Sequence, residues 1–297
     1  MPAKYFQCPD GGSTEIVNCL NGCRLKQRCL FLPTLRAIAA SLERNIEGYT
    51  VTEMISGTRE MYLKRTNDYI VEPMKLIYAI QGTAAHVMHQ DKADGDMLGE
   101  ERIYGTHCSG QIDLYGAILD EDSATTLGDY KVTSSFKLMR ALGKYKVDVP
   151  TGEFYKSGPR RGMEKTIKEW RDGGVRHVGE WAVQLNAYRM LLEEQGMPVN
   201  RMIIQAFCRD QGLMTAKTRS IEQPAYFIEI NKISDRWLKR YIERKANKLK
   251  EALKEHKMPL HCNARERWHD RKCTGYCEVS SFCPYAQSLK KTTDEVA

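Results

Sequence analysis

Hydrophobic positions along the chain follow two periods, one typical of helices and one typical of strands. Leu35, Ile38 and Leu42 recur at helical spacing, so a helix is predicted over residues 33–45. The same pattern predicts further helices over residues 72–90, 179–196 and 234–256. Apolar runs predict strands over residues 107–119, 125–132, 201–210 and 224–230, and a polar turn at 120–124 joins the first two. This order of helices and strands predicts an α/β or α+β fold rather than a helical bundle.

The composition is that of a globular protein with an excess of positive charge. The chain has 297 residues, of which 42% are hydrophobic, and this is enough to form a core. The formal net charge of +7 favours a polyanionic partner. No apolar run is long enough to span a membrane and no secretory signal begins the chain, so we expect a cytoplasmic protein without a membrane partner.

Eight of the ten cysteines form two blocks with the same spacing, C-x10-C-x3-C-x5-C. The blocks consist of Cys8, Cys19, Cys23 and Cys29, and of Cys262, Cys273, Cys277 and Cys283. Disulfides are rare in a reducing compartment, and four nearby thiolates suit zinc or an iron–sulfur cluster. Because each block can supply four ligands locally, the spacing favours Zn²⁺ at two separate sites. His261 and His269 lie in the second block and could replace one of its cysteines.

Asp129 and Lys131 lie two residues apart in a predicted strand, so their side chains point to the same face. Asp113 lies in the preceding predicted strand and is expected to face the same cleft. Neighbouring carboxylates repel each other unless a cation lies between them, and Mg²⁺ or Mn²⁺ prefers such oxygen ligands. His86, on the predicted helix before these strands, could complete the metal site. The alternative is a pair of edge-strand acids satisfied by surface lysines, and these residues alone leave both interpretations open.

Gln184 and Tyr188 lie four residues apart on one face of the predicted helix 179–196. They could donate hydrogen bonds to a nucleic-acid backbone or contact Lys131. The alternative is that they form an ordinary, half-buried helix face.

A basic insertion is predicted at residues 137–178. From Lys137 to Arg176, eleven basic residues stand against five acidic ones, and glycine and proline indicate an exposed loop. We expect this loop to contact DNA through residues such as Lys156, Arg160 and Arg161. The basic residues of the predicted helix 234–256 are interpreted instead as its solvated face.

Four short motifs occur in the order "GTAAH", "GQID", "GDYK" and "QLNAY". This order resembles the RecB-like branch of the PD-(D/E)XK nuclease superfamily, whose pattern runs histidine, G-x-x-D, D/E-x-K and Q-x-x-x-Y. The resemblance implies a restriction-endonuclease-like core, in which a mixed central sheet is flanked by helices. It also implies that a catalytic Mg²⁺ or Mn²⁺ is bound by His86, Asp113, Asp129 and the carbonyl of Val132. Lys131 would be the catalytic lysine, and Gln184 and Tyr188 would support the substrate and the site.

The second cysteine block looks like that of CRISPR-associated adaptation exonucleases and AddB-type helicase–nucleases. Those proteins close an iron–sulfur cluster with one N-terminal and three C-terminal cysteines. Here "CTGYC" has three intervening residues where the family usually has two, and four cysteines lie at each end. Two zinc sites and one shared [4Fe–4S] cluster therefore both remain open. The predicted segments are a cysteine-rich N-terminus at 1–32, a nuclease core at 33–232 and a C-terminal helix with cysteines at 233–297.

These observations predict a metal-dependent DNA nuclease. We expect an exonuclease or end-processing enzyme that acts on single strands or open ends in phage recombination, repair or CRISPR adaptation. The alternative from another class is a non-catalytic, zinc-containing DNA-binding module on a nuclease-like scaffold. The presence of all four motifs favours the enzyme.

Overall fold

Strands and helices are interspersed along the chain in the computed structural model, which describes residues 3–43, 47–90, 92–93, 95, 97–119 and 125–294. The strands are β1 (Tyr5–Gln7), β2 (Ser13–Glu15), β3 (Ile70–Val71), β4 (Leu98–Gly99), β5 (Arg102–Tyr104), β6 (Ser109–Gln111), β7 (Leu114–Gly116), β8 (Thr126–Thr133), β9 (Tyr145–Phe154), β10 (Glu164–Arg171), β11 (Arg201–Cys208) and β12 (Ala225–Glu229). The helices are α1 (Ile16–Asn21), α2 (Leu32–Leu42), α3 (Val51–Ile55), α4 (Thr58–Thr66), α5 (Ile77–Gln90), α6 (Ser135–Ala141), α7 (Gly179–Glu194), α8 (Met214–Lys217), α9 (Asp235–Lys254), α10 (Arg271–Gly275) and α11 (Pro284–Asp294). The protein is therefore a mixed α/β protein, and the predicted turn at 120–124 lies outside the described residues.

A five-stranded mixed sheet lies at the centre, in the order β12-β11-β8-β7-β4. The long strands β8 and β11 are parallel and pair from Thr126 with Arg201 to Thr133 with Cys208. On its other side, β8 pairs with antiparallel β7 only as far as Gly128, which lies opposite Leu114. Among the described strands, none pairs with the second half of β8 on that side, and this leaves an open side of β8.

Helices α5 and α7 cover opposite faces of β8. The ring of His89 on α5 stacks on Tyr130, with the ring centroids 4.3 Å apart. Tyr188 on α7 interacts electrostatically with Asp129 and Lys131, which point to the other face. The alternation of side chains along β8 thus places the acid and the lysine beneath α7.

The prediction of a single strand over residues 107–119 is wrong, because the chain bends at Asp113. It forms β6, which pairs with β5, and then β7, which joins the central sheet. The carboxylate Oδ2 of Asp113 accepts a hydrogen bond from the amide nitrogen of Tyr130 at 2.8 Å. The side chain of Asp113 thus satisfies a backbone N–H on the open side of β8. If β7 continued along β8, a strand carbonyl would accept from this N–H instead.

The basic insertion is not a loop along its whole length, because most of it forms a two-stranded hairpin, which we call the arm. After α6, strands β9 and β10 form a separate antiparallel hairpin, with an irregular register between Glu164 and Thr166. Side chains on both faces of this hairpin are largely exposed, so its sequence lacks the apolar alternation that marks a strand. The loop predicted to be exposed forms the tip of the arm, where Tyr155 and Met163 are hydrogen-bonded through their backbones.

One hydrophobic core includes residues from all three predicted segments, among them Phe6, Leu191 and Val279. Helices α7 and α9 are also joined by Arg189, whose buried guanidinium pairs with Glu193 on α7 and with Asp235 at the start of α9. The segment boundaries at 32 and 232 stay predictions. No helix in the described ranges combines the length and the apolar character that crossing a membrane requires.

Candidate functional site

His86, Glu100 and Asp113 meet at the open side of β8. His86 Nδ1 lies 2.9 Å from Glu100 Oε1 and 3.4 Å from Asp113 Oδ2. One potential ligand atom from each residue lies within 4.8 Å of the other two. Their side chains are between 10% and 27% exposed, so the group is reachable but largely desolvated. His86 and Asp113 come together as the sequence predicts, whereas Glu100 lies in none of the four motifs.

The position of Glu100 is determined by backbone strain and by a chain of hydrogen bonds. Its φ of 54° lies in the left-handed region, which is unfavourable for a residue with a side chain and is found most often at functional sites. Its amide nitrogen donates to the Asp113 carbonyl at 3.2 Å. Gln111 Nε2 donates to Glu100 Oε2 at 3.0 Å, and Arg102 Nη2 donates to Gln111 Oε1 at 3.0 Å. The carboxylate is thereby held toward His86.

The electrostatics of the group favour a cation. Burial raises the pKa of the Asp113 carboxyl to about 7; repulsion from Asp129 adds to this rise, and Lys131 and His86 oppose it. The hydrogen bond to Glu100 raises the pKa of the His86 imidazole, and burial opposes that rise. A divalent ion would favour the ionised form of Asp113 and offset both its burial and its repulsion from Asp129.

Asp129 is the most buried acid of the site, with a side chain that is 3% exposed. Lys131 Nζ donates to Asp129 Oδ1 at 2.8 Å. Oδ2 lies 2.7 Å from the same ammonium group, but outside hydrogen-bond geometry, and it has no hydrogen-bond partner among the described residues. A buried oxygen without a partner is costly, and coordination of a cation would satisfy it. Asp129 does not belong to the three-residue group of His86, Glu100 and Asp113.

The carbonyl of Val132 faces the open side of β8. The carbonyl of the next residue, Thr133, accepts from Arg209 on the β11 side at 2.9 Å. Successive carbonyls of a strand point to alternate sides, so the Val132 carbonyl points toward the side from which Asp113 approaches. This orientation is compatible with the predicted ligand role.

Gln184 and Tyr188 pair with each other on α7, where Gln184 Nε2 donates to the Tyr188 hydroxyl at 2.9 Å. Burial and the charge of Asp129 raise the pKa of Tyr188, whereas the charge of Lys131 lowers it. The Tyr188 ring also presses on β6, because a Cβ added to Gly110 would lie 2.6 Å from two ring atoms. The glycine of the "GQID" motif therefore allows α7 to approach the strand that leads to Asp113.

The four N-terminal cysteines surround one small cavity. Cys8, Cys19, Cys23 and Cys29 line a space of about 20 Å³, enough for one water-sized particle. Burial raises the pKa of Cys19, and the nearby charges of the other three cysteines raise it further. Thiolates bound to one zinc ion lie about 3.8 Å apart. Among the described residues, no three cysteine sulfurs lie within 4.8 Å of one another, so the thiols are gathered but not at that spacing.

The C-terminal cysteines are arranged less symmetrically. Burial raises the pKa of Cys273, and the nearby thiols of Cys262 and Cys283 add to this. Burial raises the pKa of Cys277 to about 12, and this thiol lies among Glu60 and two lysines. The structure therefore gathers three of the four cysteines, with Cys277 beside an ion-pair network. Within the described ranges, neither predicted alternative, His261 or His269, forms a group of three possible ligands with these sulfurs, and His261 stacks on Tyr285.

The three residues predicted to bind nucleic acid lie at the exposed tip of the arm. Lys156, Arg160 and Arg161 follow the end of β9, and the Arg160 guanidinium lies 6.0 Å from the centre of the Tyr155 ring. They are thus separate from the His86–Glu100–Asp113 group in the chain, and they belong to a different element.

Comparisons with known proteins add little to this geometry. No protein-family model matches the chain, and no curated protein matches it. A solved structure described as "Crystal structure of SSO0001" has a TM-score of 0.45 and 14% sequence identity, over 85% of this chain and 94% of that chain. No family follows from these comparisons, so the functional argument rests on the site itself.

Proposed function

We propose that the protein is a Mg²⁺- or Mn²⁺-dependent nuclease that hydrolyses phosphodiester bonds in DNA. The observation that carries the proposal is the meeting of His86, Glu100 and Asp113 beside the buried Asp129–Lys131 pair. The mixed sheet between α5 and α7 supports the restriction-endonuclease-like core that the motif order implies. Substrate access at the open side of β8 suits an exonuclease or end-processing enzyme acting on single strands or open ends.

The chemistry of the donors fits a hard divalent cation. Carboxylate oxygens and an imidazole converge, the pKa of Asp113 is raised, and no described residue forms a hydrogen bond with Asp129 Oδ2. His86, Glu100 and Asp113 would hold the ion, with Asp129 and the Val132 carbonyl as further ligands. When bound, such an ion polarises a phosphodiester and lowers the pKa of a water molecule.

Lys131 would stabilise the negative charge that develops on the phosphate. Burial alone would lower the pKa of this lysine, but Asp129 and Asp113 outweigh burial and raise it. The ammonium group is therefore charged at neutral pH and acts as an electrostatic group rather than as a base. Tyr188, which accepts a hydrogen bond from Gln184, lies close enough to interact electrostatically with Lys131.

We further propose that the cysteine blocks bind structural metal. The N-terminal cavity admits a single ion and is lined by four thiols, which supports Zn²⁺ there. The lining of that cavity comes from residues 6–35 and Pro73, which supports a site separate from the C-terminal block. A [4Fe–4S] cluster remains the alternative, and metal analysis distinguishes the two.

Digestion of labelled DNA tests the nuclease. We expect Mn²⁺-dependent cleavage of single-stranded or open-ended DNA that EDTA stops, and loss of cleavage in Asp113→Asn and Lys131→Ala. Asp68→Asn is the matched control, because Asp68 pairs with Lys4 at the surface. Cleavage retained in both site variants would refute the assignment. DNA binding without cleavage by the unchanged protein would support the non-catalytic module instead.

A further inference from the structure

An open cavity of about 380 Å³ lies where the β9–β10 arm joins the core. Its walls carry two basic side chains, Arg140 and Lys144, together with Tyr145, Val175 and His177. The volume lies within the range of small-ligand sites, about 300–1,000 Å³. None of these residues belongs to the His86–Glu100–Asp113 group or to a cysteine block.

The floor of this cavity is formed by backbone. The amide nitrogen of Gly174 donates to the Gly143 carbonyl at 2.8 Å, and that of His177 donates to the Arg140 carbonyl at 2.9 Å. Gly143 has a φ of 70°, and a Cβ there would lie 2.5 Å from the Gly174 carbonyl oxygen. Only glycine allows the two segments to approach so closely, so the shape of the cavity is fixed by the chain crossing.

The side chains around the cavity suit a phosphate beside an aromatic base. The exposed Arg140 guanidinium lies 3.0 Å from His177 Nδ1 and keeps other N–H donors for a ligand. Lys144, whose side chain is 15% exposed, pairs with Asp172 at 3.0 Å and donates to the Ser220 hydroxyl at 3.4 Å, so it adds positive charge to the wall of the cavity from a fixed position. Tyr145 packs over Gly174 and is 45% exposed. Cations next to an available ring are the combination by which proteins bind single strands.

A line of positive charge connects the cavity with the candidate active site. Helix α6 begins two residues after β8, and it carries Lys137 and Arg140 three residues apart on neighbouring positions of its surface. Lys137 Nζ lies 4.9 Å from the centre of the Trp181 ring on α7, and it interacts electrostatically with Glu180 and with Lys131. Positive groups therefore extend from Lys131 through Lys137 to Arg140.

We propose that the cavity at the base of the arm binds a backbone phosphate of single-stranded DNA, with Tyr145 stacked on an adjacent base. Lys137 and Arg140 lead the strand between this cavity and the Asp129–Lys131 pair. The choice of DNA as the ligand rests on the proposed nuclease function. The binding step itself requires no metal and no cleavage.

Equilibrium binding of a fluorescein-labelled oligothymidylate, measured by anisotropy in EDTA, tests this proposal. We expect Arg140→Glu to weaken binding about tenfold and to reduce the salt dependence by about 0.7 in the slope of log K against log[salt]. Arg244→Glu makes the same charge change on the exposed side of α9 and is the matched control. Val175→Glu places a negative charge in the cavity at a residue that is 79% exposed, so it tests the site without disturbing the core.

The outcomes separate this proposal from the nuclease assignment. Selective loss of binding in Arg140→Glu and Val175→Glu supports the cavity, even if the unchanged protein cleaves nothing. Equal affinities for Arg140→Glu and Arg244→Glu, or no binding by the unchanged protein, would overturn it. Cleavage of DNA by a protein whose cavity variants bind normally would leave the nuclease standing and the cavity refuted.

Discussion

Replacement of Asp113 by asparagine should stabilise the metal-free protein. The carboxyl has a pKa of about 7 in the folded protein against 3.8 for an unperturbed aspartate, so the folded state binds its proton more tightly than the unfolded state. The free energy of unfolding therefore falls as the pH rises from about 4 to about 7, and it stays low above that range. The difference between 7 and 3.8, at about 1.36 kcal/mol for each pH unit, gives about 4 kcal/mol at most.

Asparagine keeps the carbonyl oxygen that accepts from the amide nitrogen of Tyr130, but it carries no charge. Urea denaturation without divalent ions should therefore show a loss of about 3 kcal/mol in the unchanged protein between about pH 5 and pH 8. In Asp113→Asn this loss should largely disappear. His86 contributes a change of the same sign, because its hydrogen bond to Glu100 raises its pKa.

Mn²⁺ provides the complementary measurement. An ion that binds only the folded state should stabilise the unchanged protein by about 2.7 kcal/mol at one hundred times its dissociation constant, and it should stabilise Asp113→Asn much less. Asp68→Asn should behave like the unchanged protein in both experiments. The unchanged protein and Asp113→Asn could instead lose stability equally with rising pH. In that case the pKa of the Asp113 carboxyl is not raised by its surroundings, and the electrostatic argument for a cation fails.

Three further predictions follow from individual contacts. Lys131→Ala should lower the free energy of unfolding in urea by about 3 kcal/mol, because it leaves the Asp129 carboxylate buried without this partner. Adding Asp129→Asn should recover part of this loss. No recovery would contradict a coupled pair. Gly110→Ala should cost about 1–3 kcal/mol through overlap with the Tyr188 ring. Gly82→Ala should instead stabilise α5 by up to about 1 kcal/mol, because no described residue lies within 4 Å of the added Cβ. Similar results for both variants would argue against close packing of α7 on β6. Cys19→Ser should remove about one equivalent of bound zinc or iron in elemental analysis, and Cys108→Ser, outside both blocks, should remove none; unchanged metal content in Cys19→Ser would exclude the N-terminal site.

The sequence predicted the parts of the site that depend on local periodicity. Asp129 and Lys131 share a face because side chains alternate along a strand, and Gln184 and Tyr188 share a face because they are one helical turn apart. Helices α2, α7 and α9 and strands β8, β11 and β12 are confirmed for the same reason.

The remaining features depend on contacts between distant segments. Glu100 reaches the site through a left-handed backbone conformation and through Gln111, and no periodic pattern encodes either. Its only signal is a pair of acidic residues just before β5. The ion pair of Arg189 cannot be read from local periodicity either, because its partner Asp235 lies 46 residues away. The arm was predicted as a loop, since strands exposed on both faces carry no apolar alternation.

The isolation of the arm has a consequence for how the protein behaves at high concentration. In the described part of the chain, neither outer edge of β9 or β10 pairs with another strand, and such edges tend to recruit strands from other molecules. Pro150 removes one amide donor from β9, and the irregular register near Thr166 twists the ladder. Four basic and four acidic side chains also lie along the two strands, and charged side chains on an edge disfavour pairing with another molecule. The proline, the irregular register and these charged side chains thus protect the arm against intermolecular sheet formation.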